Sequence, residues 1–288
     1  MDISNKSRTR AIIEKHAFRF KKKFGQNFLT DANVLRKIVE AAKLTKNVSV
    51  IEIGPGIGAL TEYLAREAKQ VVAYEIDQTL MPILEEVLAP YPNVQIINED
   101  ILKANVAEMM REKMPEDEVA VVANLPYYIT TPILMGLIEA RLLIDRYVVM
   151  MQLEVARRLS AKPGTKDYNA LSIAIQYYCD VEIAIHVPRD VFIPAPNVDS
   201  AVVVLTRKEK PSIIVKDEAF LMELVHASFK QRRKTLLNNL SGHFENLNKE
   251  EVASLIEAAG LLPQVRAEAL TIEAFGRLCD VFASAIGV

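Results

Sequence analysis

The sequence contains no tryptophan, and phenylalanine and tyrosine together make up only 7% of its 288 residues. Because half of the residues are hydrophobic, the core must be built mainly from aliphatic side chains. Only two cysteines, Cys179 and Cys279, are present, and they lie far apart in the chain. This spacing excludes a disulfide framework and a cysteine-based zinc site, and it is typical of proteins in a reducing cytoplasm.

Long apolar runs are also missing. No stretch of about 18 apolar residues occurs, and the polar, basic N-terminus lacks the hydrophobic segment of a signal peptide. We therefore expect a soluble, cytoplasmic protein without a membrane partner, and a monomer, since nothing indicates an obligate dimer. The four histidines form neither a catalytic triad nor a metal-binding pattern, so no metal site is predicted: His16, His186, His226 and His243.

A formal net charge of −2 conceals two basic clusters. Residues 1–23 contain eight lysines and arginines against two acids, Asp2 and Glu14. A solvated face is the simplest interpretation of either cluster alone, but two separate clusters favour a polyanionic partner. The candidate RNA-binding residues are Lys21, Lys22 and Lys23 in the first cluster and Lys230, Arg232, Arg233 and Lys234 in the second.

Short apolar strands alternate with helical segments along the first half of the chain. Strands are predicted over 48–53, 71–74, 94–97, 119–123 and 147–151, and helices over 31–44, 59–68, 80–88, 106–113, 133–143 and 168–178. This alternation predicts parallel βαβ units in a Rossmann-like, doubly wound α/β fold. Two more strands, 181–187 and 201–206, are expected to complete a mostly parallel seven-stranded sheet as a hairpin-type pair.

Beyond residue 208 the pattern becomes helical. Helices are predicted over 218–229, 232–240, 249–259 and 272–285, and the charged segment 207–211 is the natural linker. We therefore predict three parts: a basic N-terminal extension over 1–23, a Rossmann-like domain over 24–207, and a small all-α domain over 208–288 that binds RNA.

A glycine-rich loop, Glu52-Ile53-Gly54-Pro55-Gly56-Ile57-Gly58, joins the first strand to the following helix. Its G-x-G-x-G spacing differs from the G-x-G-x-x-G loop that binds the pyrophosphate of a dinucleotide. A methionine moiety does not need that longer turn, so the loop favours S-adenosylmethionine over NAD, although a plain strand-to-helix turn is the alternative. Glu52, Gly54, Gly56 and Gly58 are the candidate cofactor-binding residues.

Acidic residues follow the next two strands. Glu75 can accept hydrogen bonds from both ribose hydroxyls of a nucleoside, and Asp100 can accept one from an adenine amine. Glu99 is a neighbour with which Asp100 could be confused. Because the three features fall at three successive strand ends, together they predict a class I methyltransferase that uses S-adenosylmethionine.

The segment Asn124-Leu125-Pro126-Tyr127 follows the fourth strand. The lone pair of an aromatic amine is delocalised into its ring, which makes the amine a poor nucleophile. The side-chain oxygen of Asn124 and the carbonyl of Leu125 or Pro126 could accept its two N–H bonds and release that lone pair. Tyr127 could stack on the base. A proline-containing turn is the alternative, but we predict catalysis by positioning and electrostatics rather than by a strong base.

On these features the sequence resembles the ribosomal RNA adenine dimethyltransferases of the KsgA type. Besides the glycine loop, the two acids and the segment after the fourth strand, the resemblance rests on three segments: 24–29 (FGQNFL), 192–200 (FIPAPNVDS) and 229–234 (FKQRRK). It implies that Asn27, Leu29 and Asn124 contact the cofactor and that Phe192 covers the target adenine opposite Tyr127. Family members dimethylate two adjacent adenosines in a 3′-terminal hairpin loop of small-subunit rRNA during subunit assembly.

Three alternatives stay open. The large-subunit adenine methyltransferases of the erythromycin-resistance type share the fold and chemistry, but usually have isoleucine where this chain has Leu125. A ribosome-assembly factor that acts mainly by binding is the second, and a DNA adenine methyltransferase, disfavoured by Leu125, is the third. One departure from the family is Asn169, where glycine is common; asparagine tolerates left-handed backbone angles, so the expected structure is unaffected.

Overall fold

The computed structural model describes residues 3, 5–21 and 25–287. Its strands are β1 (Phe28–Leu29), β2 (Val48–Ile53), β3 (Gln70–Tyr74), β4 (Val94–Ile97), β5 (Glu118–Asn124), β6 (Arg146–Gln152), β7 (Cys179–Val187), β8 (Phe192–Ile193) and β9 (Ser200–Arg207). Its helices are α1 (Lys6–Lys15), α2 (Ala32–Ala42), α3 (Ala59–Glu67), α4 (Met81–Leu88), α5 (Val106–Lys113), α6 (Thr130–Glu139), α7 (Leu153–Leu159), α8 (Ala170–Tyr178), α9 (Glu218–Phe229), α10 (Leu236–Ser241), α11 (Lys249–Ala258) and α12 (Ile272–Ile286).

Seven strands form one sheet in the order β4-β3-β2-β5-β6-β9-β7. Strands β2 to β6 pair in parallel, and β9 pairs antiparallel to β6 from Arg146↔Thr206 to Gln152↔Ser200. The predicted Rossmann-like fold with a mostly parallel, seven-stranded sheet is therefore confirmed. The chain leaves β2 toward β3 and β4, then crosses back to β5 on the other side of β2. This reversal opens a crevice at the carboxyl ends of β2 and β5.

Buried aliphatic strands make the centre of this sheet. Every residue of β2 is buried, as are the five central residues of β5, because helices cover both faces of a parallel sheet. Helix α2 begins after Asp31, whose carboxylate accepts hydrogen bonds from the N–H groups of Asn33 and Val34. Its buried face carries Leu35 and Ile38, which join the same apolar core.

The contacts within the chain define two compact units, residues 1–156 with 182–207, and residues 157–181 with 208–288. The sequence-based division placed all of 24–207 in one domain, whereas the contacts group 157–181 with the helical C-terminal unit. The reason is packing: Tyr168, Ile173 and Tyr177 are buried in the core of that unit, alongside Leu221 and Phe275. None of the described helices is long and apolar enough to cross a membrane.

The helix predicted over 232–240 is wrong at its start. Helix α10 begins at Leu236, after Thr235, whose hydroxyl accepts a hydrogen bond from the N–H of Asn238. Residues 230–235 instead form a turn held by the buried side chain of Asn239. Its amide nitrogen donates to the carbonyls of Ser228 (2.7 Å) and Gln231 (3.2 Å), and its oxygen accepts from the N–H of Gln231 (3.1 Å).

Asn169 is not left-handed either. Its φ of −158° is extended backbone, and its side chain caps α8 by accepting from the N–H groups of Leu171 and Ser172. The Ser172 hydroxyl accepts from the Asn169 N–H in return, which completes a capping box. A helix cap, rather than tolerance of unusual backbone angles, therefore explains asparagine at this position.

The N-terminal extension contains a helix that the charge pattern did not reveal. Helix α1 starts after Asn5, which caps it, and buries Thr9 and Ile12. Lys15 and His16 both contact the Glu86 carboxylate, and the N–H of Ile3 donates to the buried carboxylate of Glu62 (3.0 Å). Residues 3 and 5–16 of the extension are thus packed onto the rest of the first unit through apolar and ionic contacts.

Candidate active site

A cavity opens at the carboxyl ends of β2, β3 and β5, where the sheet order reverses. Counting the open space at its mouth, it takes in about 1110 Å³. The predicted site residues that line it are Asn27, Leu29, Glu52, Gly54, Gly56, Glu75, Asp100, Asn124, Pro126, Tyr127 and Phe192.

The glycine loop forms the floor of this cavity. Gly54, Gly56 and Gly58 have φ values of +70°, +61° and +86°, a region that side chains with a Cβ rarely adopt. A Cβ on Gly56 would lie only 3.1 Å from the ring of Phe28. The loop can therefore stay close to the segment above it only while position 56 is glycine. Gly58 does not line the cavity; it begins α3 as its N-cap.

Glu75 is fixed by two backbone N–H groups. One carboxylate oxygen accepts from the N–H of Asp77 (2.8 Å) and the other from Gly56 (3.3 Å). Burial raises the pKa of Glu75 to about 7, and these N–H groups act in the opposite direction. The glycine loop and the acid after β3 therefore form one connected structure.

Asp77 connects the segment before β1 to the turn that contains Glu75. Lys21 Nζ lies 2.6 Å from one of its oxygens, and Gln26 Nε2 donates to the other (2.8 Å). Burial works to raise the pKa of Asp77, but the bonds from Lys21, Thr79 and Gln26 together lower it. Lys21 is thus engaged within the protein through an ion pair that the charge pattern did not predict.

Glu52 carries the most perturbed carboxyl group of the site. It is fully buried in β2, and neither of its oxygens has a hydrogen-bond partner among the described residues. Burial raises its pKa to about 8; the Thr61 hydroxyl beside it acts to lower the pKa, and the nearby charge of Glu75 acts to raise it. An unpartnered acid at the cavity wall suits a cationic ligand group.

Asp100 and Glu99 both line the cavity beyond β4. Asp100 is half-buried, and its Oδ1 accepts a hydrogen bond from the N–H of Leu102 (3.1 Å), whereas Glu99 is exposed. The geometry therefore favours Asp100 over its neighbour as the fixed acceptor, in line with the sequence-based preference.

Asn124 ends β5 with its amide held in one direction. Its Nδ2 donates to the carbonyl of Asn27 (3.4 Å), which leaves Oδ1 as the group available to a ligand. The side chain of Asn27 turns back to the carbonyl of Gly25 (3.0 Å). The Pro126 carbonyl accepts from both the N–H of Ile129 and the hydroxyl of Thr130, each at 3.1 Å. Its two lone pairs are thereby used.

Tyr127 and Phe192 are fixed by β9 and by a small second sheet. The Tyr127 hydroxyl lies 2.7 Å from the hydroxyl of Ser200, the fully buried first residue of β9. Phe192 lies in β8, which pairs antiparallel with β1 so that Leu29 faces Phe192. The sequence analysis did not identify Ser200 or Asp77. Ser200 ends the segment 192–200, which carries the family resemblance, and Asp77 lies two residues after Glu75.

The predicted RNA-binding residues are not all in comparable positions. Lys230, Arg232, Arg233 and Lys234 are exposed in the turn between α9 and α10, and Arg232 Nη2 donates to the carbonyl of Lys166. Lys22 and Lys23 lie outside the described residues. Within the described part of the chain no group of acids, cysteines and histidines could hold a metal ion.

The residues that line the cavity fit S-adenosylmethionine. A buried, unpartnered carboxyl at Glu52 matches a cofactor with a cationic ammonium and a cationic sulfur. Glycine at positions 54 and 56, both with positive φ, keeps this part of the loop free of side chains, and the carboxylates of Glu75 and Asp100 offer hydrogen-bond acceptors to a nucleoside.

Comparisons with known proteins agree with this geometry. The family model for ribosomal RNA adenine dimethylase matches residues 17–284. Two curated relatives are both called ribosomal RNA small subunit methyltransferase A. The protein from Streptococcus thermophilus is 54% identical over 99% of both chains, and that from Bacillus cytotoxicus is 56% identical over 97% of both.

Two solved structures are similar to this chain over most of its length. A dimethyladenosine transferase from Plasmodium falciparum aligns with a TM-score of 0.74 at 27% identity, covering 91% of this chain and 98% of the other. The 23S rRNA methyltransferase ErmE aligns with a TM-score of 0.65 at 30% identity, covering 88% and 98%.

Replacing Glu52 by glutamine should remove a pH-dependent loss of stability. The unfolded chain releases this proton near pH 4.5, whereas the folded protein holds it until about pH 8. Between these values the folded state binds more protons, so the free energy of unfolding falls as pH rises, by at most about 1.4 kcal/mol per pH unit. The melting temperature of Glu52→Gln relative to wild type should therefore increase across this range.

Glu86→Gln provides the control. Glu86 is an exposed acid whose pKa is lowered by its bond with Lys15, so its replacement should bring no gain at higher pH. Thermal unfolding of the three proteins between about pH 5 and pH 9 makes the comparison. Parallel pH profiles for wild type and Glu52→Gln would show that Glu52 is ionised in the folded protein.

Proposed function

Because the chain belongs to the ribosomal RNA adenine dimethylase family, we propose that it dimethylates the N6 amines of two adjacent adenosines in small-subunit rRNA. The target is a 3′-terminal hairpin loop, and the methyl donor is S-adenosylmethionine. The single observation that carries the proposal is the fixed amide of Asn124. Its nitrogen donates to the Asn27 carbonyl (3.4 Å), which leaves its oxygen to accept a hydrogen bond from a ligand in the cavity that Asn124 lines.

A second acceptor lies one residue further on. The Pro126 carbonyl already accepts two hydrogen bonds, whereas the Leu125 carbonyl accepts none from the described residues. Of the two carbonyls that the sequence left open, Leu125 is thus the one free to receive an amine hydrogen. Asn124 Oδ1 and the Leu125 carbonyl can then accept both N–H bonds of the target amine and localise its lone pair.

The aromatic side chains position the base between them. Tyr127, anchored through its hydroxyl to Ser200, offers one ring, and Phe192, which lines the cavity from β8, is assigned to the opposite face of the base, as the resemblance implies. When bound, S-adenosylmethionine supplies a methyl carbon on a positively charged sulfur. After transfer the amine nitrogen is cationic and loses a proton to water, so no strong base is required of the chain. Alignment and charge placement supply the rate.

The cofactor roles follow the same geometry. Glu75 accepts the ribose hydroxyls, Asp100 accepts the adenine amine, and Glu52 faces the cationic methionine end. Gly54 and Gly56 allow the backbone to approach the ligand, and Gly58 acts indirectly by starting α3. Asn27 and Leu29 close the cavity from the N-terminal side through β1.

Identity favours the small subunit over the alternatives. The relatives that are 54–56% identical are named for the small subunit, whereas the large-subunit enzyme ErmE is 30% identical. A DNA adenine methyltransferase has no support among these relatives. A role in subunit assembly by binding alone is disfavoured by the complete arrangement around Asn124. A ribosomal substrate implies a cytoplasmic location, and a monomeric state stays a prediction.

The exposed turn between α9 and α10 is the proposed RNA-binding surface. Lys230, Arg232, Arg233 and Lys234 are all exposed there, and Asn239 holds the turn in shape from beneath. Phosphate contacts from such residues position RNA without reading its sequence. Because Lys21 forms an ion pair with Asp77, it is better placed to hold the segment before β1 in position than to contact RNA.

Labelled cofactor and isolated, unmethylated small subunits test the reaction. Mass spectrometry of the rRNA should locate dimethyladenosine at two adjacent positions of one hairpin loop. Asn124→Ala should slow transfer by about 10²-fold or more, because it removes one acceptor aimed at the amine. Asn47→Ala, at an exposed asparagine before β2, is the matched control and should keep wild-type activity. Methylation of isolated large subunits alone would contradict the proposal.

Replacing Arg232, Arg233 and Lys234 with alanine should weaken binding to the small subunit without changing cofactor affinity. The slope of log affinity against log salt should fall by about one for each phosphate that the variant no longer neutralises. A charge-matched control replaces three other exposed cations of the same unit, Lys210, Lys249 and Arg266. Subunit binding at several salt concentrations and calorimetric titration with cofactor separate the effects; equally weakened binding in both triple variants would refute the assignment.

A further inference from the structure

We propose that Tyr128 is a stacking platform for the nucleobase next to the target adenosine, so that the active site binds two neighbouring bases. The inference rests on the proposed function and adds a substrate contact to it. Tyr128 immediately follows Tyr127, lines the same cavity and is 61% exposed. A tyrosine ring carries a large apolar surface, and this one keeps most of it in solvent beside the site.

The backbone around Tyr128 is firmly held. The N–H of Ile129 and the hydroxyl of Thr130 both bond to the Pro126 carbonyl, which closes a turn over residues 126–129 directly before α6. The ring therefore projects from a fixed turn rather than from a long loop. A fixed ring loses little conformational freedom when a base binds to it.

One side of the ring is supported from within the protein. Gly25 has a φ of +56°, and a Cβ built on it would lie 3.6 Å from Tyr128 Cε1 and 3.2 Å from Pro126 Cβ. Gly25 thus lies close to both residues, and the segment that leads to Asn27 approaches the Cδ1–Cε1 side of the ring. Tyr128 remains mostly exposed, so a base can reach the ring.

The position of Tyr128 beside the cavity is not explained by a hydrogen bond of its hydroxyl. Among the described residues it has no hydrogen-bond partner, unlike the hydroxyl of Tyr127, which is held by Ser200. The exposed ring of Tyr128 thus presents an apolar surface at the cavity, which suits the face of a base.

The chemistry of the RNA substrate indicates which group would stack on Tyr128. An adenosine that enters the cavity leaves the stack of its own strand, and its neighbour loses one stacking partner. An aromatic side chain can replace that partner for any base, because every base has a π-face. The family reaction on two adjacent adenosines makes an adenine the expected neighbour, held on Tyr128 while the first occupies the pocket at Tyr127.

The test uses the full chain and synthetic RNA hairpins of the target loop, with the base beside the target either present or replaced by an abasic site. Tyr128→Phe keeps the ring, and Tyr128→Leu removes it while leaving an apolar side chain. Leu143→Ala, at a 72% exposed residue before β6, is the surface control. Single-turnover methylation, RNA affinity and cofactor affinity are measured for each protein.

Tyr128→Leu should weaken affinity for the intact hairpin by about ten-fold, a magnitude typical of one base–aromatic stack. Tyr128→Phe and Leu143→Ala should stay within about two-fold of wild type, and cofactor affinity should not change in any of them. On the hairpin that lacks the stacked base, Tyr128→Leu should bring no further loss, because ring and base act as one pair.

Two results would overturn the proposal. One is an equal loss for Tyr128→Leu on intact and abasic hairpins on either side of the target, and the other is wild-type affinity for Tyr128→Leu. Failure of wild-type protein to methylate any hairpin or subunit would instead contradict the proposed function. The two failures are thereby distinguishable.

Discussion

The common direction of the parallel strands is the constraint on which the rest of the structure depends. Because β2, β3, β4 and β5 all run the same way, the residues that follow them meet at one edge of the sheet. The glycine loop, Glu75, Asp100 and Asn124 come from distant parts of the chain, yet they line one cavity. Strands β2 and β5 are buried along most of their length. Burial also raises the pKa of Glu52 near the end of β2 and of Glu75 directly after β3.

A second, smaller constraint joins the two halves of the site. The pairing of β1 with β8 fixes the segment that carries Asn27 and Leu29 to the segment that carries Phe192. The hydroxyl and the N–H of Thr30 both donate to the Val191 carbonyl, which strengthens this connection. Because the Asn27 carbonyl also accepts a hydrogen bond from the amide of Asn124, the parts proposed to bind the cofactor and those proposed to position the base are directly connected. This linkage explains how a site built from loops keeps a defined geometry.

Much of the fold could be predicted from the sequence because the central strands are continuous apolar runs bounded by glycine, proline or acidic residues. The strand ends then identified Glu75, Asp100 and Asn124. Features that depend on pairing between distant segments could not be predicted. The two-residue strands β1 and β8 are too short to show a pattern, and the bonds of Lys21 with Asp77 and of Tyr127 with Ser200 exist only in the folded chain. The start of α10 was misplaced because the fold of the preceding turn depends on Asn239.

A crystal structure of the protein with S-adenosylmethionine and adenosine monophosphate tests most directly whether one cavity holds both donor and base. The ribose of the cofactor should lie within hydrogen-bond distance of Glu75. The amine of the second adenine should lie between Asn124 Oδ1 and the Leu125 carbonyl, facing the methyl carbon. A cofactor bound elsewhere, or an Asn124 amide turned so that its nitrogen faces the adenine amine, would contradict this description of the site.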